Sequence, residues 1–248
     1  MQLEICVDSL ESAINAAAGG ADRIELCSSL SLGGLTPTCG LFRCVAKKVD
    51  IPIFCMIRPR AGDFTYSESE MEVAIEDLKL LKAEGARGFV FGALKQDGSV
   101  DENSCSRVIC QAHPFPVTFH RAFDVCLDWK SAMQTVCSLG FKRILTSGGH
   151  DKAIDGLNAL KQIVQAAESA VTIVIGSGVN EETLEILEAE TGALEYHGSA
   201  SVLRPQPINA ATATIKMGSL DSVDNRVTSE AKVRAMVTHH TQSEAEKE

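Results

Sequence analysis

Eight short apolar runs recur along this chain, each followed by a segment with helical spacing or by the turn that closes the series. They are Leu3–Val7, Arg23–Cys27, Ile51–Arg58, Gly88–Leu94, the run opening at Pro116, Lys142–Thr146, Thr172–Ile175 and Ala193–His197. The repeat length is roughly 20–30 residues, enough for one strand, one helix and short connections. Regular alternation of this kind calls for parallel strands with helices packed outside them. Eight such units in 248 residues match a closed TIM (β/α)8 barrel, which runs ~200–250 residues as one domain. An open doubly wound sheet would carry G-x-G-x-x-G after its first strand, and none follows Val7.

Punctuation along the chain agrees. Glycines at Gly19-Gly20, Gly85 and Gly140 mark helix stops, and Ser67 with Glu70 forms a capping-box pattern. A helix is expected over Glu181–Glu188. No linker composition occurs before residue 200, so residues 1–200 are expected to form one domain. Residues 201–237, with Pro205 and Pro207, read as a closing segment with a short helix over Glu230–Val237. The polar tail, 238–248, reads as disordered.

Side chains alternate across a strand with period two. Leu3, Ile5 and Val7 oppose Glu4, Cys6 and Asp8; Ile24 and Leu26 oppose Arg23, Glu25 and Cys27. Ile53, Cys55 and Ile57 oppose Met56 and Arg58, and Leu194 and Tyr196 oppose Glu195, His197 and Ser199. The helix layer takes the apolar face, so the polar face points into the barrel. A lumen lined by Cys6, Glu25, Cys27, Met56, Arg58, His120, Glu195 and His197 is costly to bury unless those groups pair. One reading is a structural ion-pair network, Glu25 or Glu195 with Arg58. The other is a site at the C-terminal ends of the strands, where such barrels carry their chemistry.

Two chemistries fit the lining. Cys6 and Cys27 sit inward on adjacent strands with Met56 on the next, and thiolate and thioether sulfur favour Cu(I); the plain alternative is two small core residues. The second chemistry is catalysis on a small anionic metabolite, phosphorylated ones included. In Pro116–Asp124 an apolar strand ends in His120, Arg121 and Asp124. Arg58 would bind the anion, His120 with a pKa near ~6.5 would move a proton, and Asp124 or a glutamate such as Glu25 would orient it. His197 belongs to the same candidate set. Gly176, Gly178 and Ser199, in the turns after the seventh and eighth strands, could present backbone N–H groups to an anion, or merely let the chain turn. A scaffold built on an inactive barrel is the third reading, and it leaves the polar lining without a purpose.

The formal net charge of −10 argues against nucleic-acid and anionic-membrane partners, which favour clustered Lys and Arg. The opening residues lack a secretory pattern, and no run approaches ~18 apolar residues. Nine scattered cysteines without C-x-x-C read as reduced thiols in the cytoplasm.

Five stretches carry a family resemblance: G-A-D-R-I-E-L-C at Gly20–Cys27, G-G-L-T-P-T at Gly33–Thr38, M-I-R-P-R-A-G-D-F-T-Y-S at Met56–Ser67, V-T-F-H-R-A-F-D at Val117–Asp124 and R-I-L-T-S-G-G at Arg143–Gly149. In this order they resemble the CutC family of cytosolic copper homeostasis proteins, from Leu3 to about Ala200. The resemblance implies a TIM barrel, a homodimer, and copper handling with Cu(I) on thiols that fall here on Cys6 and Cys27. The cytoplasm is the expected compartment, with the nucleus as a second location.

Overall fold

The computed structural model describes residues 1–204 and 225–245, with side chains through Thr238. Eight parallel strands close a barrel in sequence order: β1 (Gln2–Val7), β2 (Arg23–Leu26), β3 (Ile53–Met56), β4 (Gly88–Phe91), β5 (Val117–Phe119), β6 (Arg143–Thr146), β7 (Thr172–Gly176) and β8 (Glu195–Gly198). β8 pairs back onto β1, with Glu4 opposite His197. The TIM barrel expected from the alternation is therefore the fold. Helices α1 (Leu10–Gly19), α2 (Cys39–Ala46), α3 (Glu68–Glu84), α4 (Glu102–Ala112), α5 (Trp129–Leu139), α6 (Leu157–Ala167) and α7 (Leu184–Thr191) follow the first seven strands in turn. No helix among the described residues is long and apolar enough to cross a membrane.

The caps that start and stop these helices are local. Ser9, Thr38, Asp101 and Asp128 accept from backbone N–H groups in the first turns of α1, α2, α4 and α5. Ser67 and Glu70 form the full capping box on α3. Gly20, Gly85 and Gly140 end helices in the left-handed region, as their sequence positions suggest. One start differs. The helix expected from Glu181 begins at Leu184, because the Asn180 carboxamide accepts from the Glu182 and Thr183 N–H groups and holds a turn there.

Strand parity sorts the core into two. Leu3, Ile5, Ile24, Leu26, Cys55, Ile57, Phe89 and Phe119 are fully buried between barrel and helices. Each large side chain so buried contributes about 1.5–3 kcal/mol. Inside the barrel, Cys27, Phe54, Met56 and Val90 form a separate apolar cluster. Gly88 is required there: a Cβ at that position would lie 2.5 Å from the Phe54 ring.

The closing segment holds more structure than its composition suggests. β9 (Ser201–Leu203) and β10 (Arg226–Thr228) form an antiparallel pair. Helix α8 (Glu230–Ala245) runs past the predicted end at Val237 and into the stretch expected to be disordered. Once started, a helix gains one hydrogen bond per added residue, and Gln, Glu and Ala propagate it well. Val233 and Met236 of α8 are fully buried. A Cβ on Gly19 would lie 2.5 Å from the Val233 Cβ. Gly19→Ala is therefore expected to cost about 1–3 kcal/mol by overpacking; a urea midpoint equal to wild type would show that α8 docks elsewhere.

Candidate functional site

The polar lumen begins with a buried ion network near the N-terminal ends of the strands. Arg23 Nε donates to Glu4 Oε2 at 2.5 Å, and Arg23 Nη2 to Glu195 Oε2 at 2.7 Å. Arg143 Nε reaches Glu195 Oε2 at 2.8 Å. The Phe54 ring lies under both guanidinium groups, 4.8 Å from Arg23 and 5.5 Å from Arg143. The structural pairing anticipated for Glu195 thus exists, but its partners are Arg23 and Arg143 rather than Arg58.

One level up, His197 Nδ1 lies 2.7 Å from Glu4 Oε1, and His197 Nε2 is 3.8 Å from Glu25 Oε2. A Cys6 sulfur, a Glu25 carboxylate oxygen and a His197 ring nitrogen all fall within 4.8 Å of one another. Burial alone would raise the Glu4 carboxyl, but Arg23 and His197 outweigh it and hold it at about 2. Burial opposes charge on His197, yet Cys6, Glu25 and Glu4 drive it well above its ordinary value. Burial pushes the Glu25 carboxyl up, with His197 opposing and Glu4 adding.

Cys27 and Met56, the other sulfur candidates, sit in the apolar cluster inside the barrel. Cys27 is fully buried, its thiol donates to Glu25 Oε2 at 3.5 Å, and burial beside Glu25 pushes it well up. A Cβ on Gly34 would lie 3.0 Å from the Cys27 sulfur, so the glycine loop closes over it. Cys6 is therefore grouped with Glu25 and His197, and Cys27 bonds that group through Glu25.

Of the catalytic reading, Glu25 and His197 belong to this cluster, whereas His120, Arg58 and Asp124 lie elsewhere around the barrel. His120 is buried, and Nδ1 accepts from the Ala122 N–H. Burial and then the Arg58 charge lower it to about 3. The ring is neutral across the physiological range, so the proton transfer near neutral pH expected of it does not suit this environment. Arg58 pairs with no carboxylate among the described residues; Nη1 donates to the Leu32 and Gly34 carbonyls and Nη2 to that of Gly62. It ties two loops together. Asp124 does not orient His120: it accepts from Thr146, Ser147, Gly149 and Arg121. Gly176 is small because a Cβ there would lie 2.6 Å from Leu145, and Gly178 turns at φ +72° beside Lys152. Ser199 donates to the Ser201 hydroxyl at 3.1 Å.

A cavity of about 1140 Å³ is lined by Cys6, Glu25, Met56, His120, His197 and Ser199 among others, and Cys27 and Asp124 lie behind its wall. Glu4, Arg23 and Arg143 are working parts of this lumen that the sequence pattern does not single out. Period-two parity puts Glu4 on the same face as Cys6, and that was the available signal; which acid meets which base depends on register between strands.

The pattern of the CutC family matches residues 1–202. The Caenorhabditis elegans copper homeostasis protein cutC homolog is 47% identical over 237 residues, covering 95% of this chain and 94% of that one. The Homo sapiens copper homeostasis protein cutC homolog is 44% identical, covering 94% and 87%. The crystal structure of a putative copper homeostasis protein CutC from Streptococcus agalactiae superposes with a TM-score of 0.76 at 29% identity, covering 80% of this chain and 98% of that one. Phosphoribosylanthranilate isomerase from Thermotoga maritima, at 10% identity and a TM-score of 0.60 over 98% of this chain and 99% of that one, shares the fold alone.

Proposed function

The chain belongs to the CutC family, and from that premise we propose that it handles copper by binding Cu(I) as cargo inside the barrel. The observation that carries this is the approach of Cys6, Glu25 and His197 donor atoms to within 4.8 Å of one another. A thiolate and an imidazole suit Cu(I). Glu25 Oε1 is buried without a hydrogen-bond partner, an orphan that a cation nearby would satisfy. Glu4 holds His197 from behind through Nδ1, the arrangement in which a carboxylate orients a ligating histidine and sets its tautomer. Cys27 lies one contact further in, beyond Glu25, and serves as a second sulfur if Glu25 swings away. The names of the relatives support copper as the cargo. A cytoplasmic setting that keeps the thiols reduced completes the proposal.

The test is anaerobic Cu(I) titration of the full chain against a competing chelator. One site is expected. Cys6→Ser is expected to weaken it by about 100-fold or more, and Cys27→Ser by about tenfold, the scale of an outer partner. Equal affinity in wild type and Cys6→Ser would end the proposal, because copper would then be spread over incidental thiols.

A further inference from the structure

The same cavity has a second polar feature just past β5, four strands around the barrel from β1. The His120 ring is held tightly. Gly92 makes room for it, since a Cβ there would lie 2.6 Å from Nδ1. With Nδ1 accepting from Ala122 N–H at 3.1 Å, the neutral ring must carry its proton on Nε2. That Nε2–H is buried and meets no acceptor among the described residues. A buried donor left unmatched is costly, and folded proteins keep few of them without a use. The Phe64 ring lies 4.8 Å from the imidazole and 5.1 Å from the Arg58 guanidinium. Arg58 Nε is likewise buried without a partner.

Charge points the same way. The chain carries a net −10, yet the cavity wall includes Arg58, Arg121, Arg204 and Arg226 against Asp8 and Glu25. Arg121 and Arg204 are paired with Asp124 and Glu11. Arg58 and Arg226 bond only carbonyl and hydroxyl oxygens among the described residues. Arg58 and Arg226 balance Asp8 and Glu25 in number, and each leaves a guanidinium without a carboxylate partner among the described residues for an anion to meet.

We propose that the cavity also binds a small carboxylate, one oxygen of which accepts the His120 Nε2–H. Nε2 is closed to water, so binding requires Phe64, which packs on the imidazole and lines the cavity, to move aside. The spare donors, one imidazole and one guanidinium N–H, match in number the two oxygens of a carboxylate; phosphate cradles use several backbone N–H groups instead. This site uses none of the proposed copper ligands, so it stands or falls apart from them.

The probes are pyruvate, lactate and malonate, with lactamide and inorganic phosphate as controls, followed by saturation-transfer NMR on the metal-free full chain. Carboxylates are expected to bind wild type and the Cys6→Ser variant alike. His120→Asn keeps an acceptor for Ala122 N–H but has no donor at the Nε2 reach, and is expected to bind them about tenfold more weakly or worse. His120→Gln keeps a donor at that reach and retains more affinity than His120→Asn. Arg226→Gln, on the exposed hairpin, weakens carboxylates and leaves Cu(I) titration unchanged. Absence of carboxylate binding, equal binding by His120→Asn, or binding of phosphate or lactamide in preference to the carboxylates overturns the proposal.

Discussion

Arg23→Ala is expected to lower the stability of the folded barrel by about 3–5 kcal/mol, since it strands two buried carboxylates. Glu4 and Glu195 both accept hydrogen bonds from this one guanidinium. Glu195 keeps Arg143, and Glu4 keeps only His197. The measurement is urea denaturation: the midpoint should fall with the slope unchanged. A loss under about 1 kcal/mol would mean that the network is no more than solvated surface charge. Exposed pairs such as Arg43–Glu84 serve as that reference.

The same network sets a pH dependence with a definite sign. Glu4 sits at about 2 in the folded chain against an ordinary 4.5. Its contribution is present above the unfolded value and is lost as pH falls from 4.5 through 2. His197 is raised in the folded chain, so its contribution is complete below the unfolded value of ~6.5 and fades as pH rises through the folded one. Stability should therefore fall away on both sides of a mildly acidic to neutral maximum. In Arg23→Ala the acid limb should flatten, because Glu4 has lost the strongest group lowering it.

Asp124→Ala has the second largest expected effect, a loss of about 3 kcal/mol, because several buried donors lose their acceptor together. The carboxylate takes the Thr146 hydroxyl at 2.5 Å, the Ser147 N–H at 3.0 Å, the Ser147 hydroxyl at 3.0 Å, the Gly149 N–H at 3.1 Å and Arg121 Nε at 2.7 Å. These bonds fasten the 3-10 turn Arg121–Val125, after β5, to the loop after β6. Thermal denaturation should report the loss, and limited proteolysis should place new cleavage after Thr146. Asp124→Asn keeps one good acceptor and should lose less. A change within about 0.5 kcal/mol for the alanine variant would assign the segment to ordinary surface.

Asp124 also illustrates what one-dimensional reading does well and badly. Its position, just past an apolar strand that ends in His120, marked it as a working residue. Its partner could not be read, because Thr146 and Gly149 arrive from the next strand and are brought there only by closure of the sheet. His120 teaches the same lesson. An isolated histidine suggests proton transfer near neutrality, whereas the folded ring is buried beside Arg58 and braced by Phe64, and so stays neutral.

Local physics was legible from the residues alone. Period-two alternation separated Leu3, Ile5 and Val7 from Glu4 and Cys6, and the capping residues Ser67 and Glu70 with Gly85 bounded α3 before any fold was known. Each of these depends on neighbours a few residues away, and the strand count follows from repeating that pattern along the chain. Tertiary structure alone decided which inward charges meet. Arg23 bridges Glu4 and Glu195 across a separation of 172 residues to the latter, and the cluster of Cys6, Glu25 and His197 exists because β1 pairs with both β2 and β8. Register between strands fixes those meetings. It is set by the packing of the whole closed sheet, which no single stretch of sequence contains.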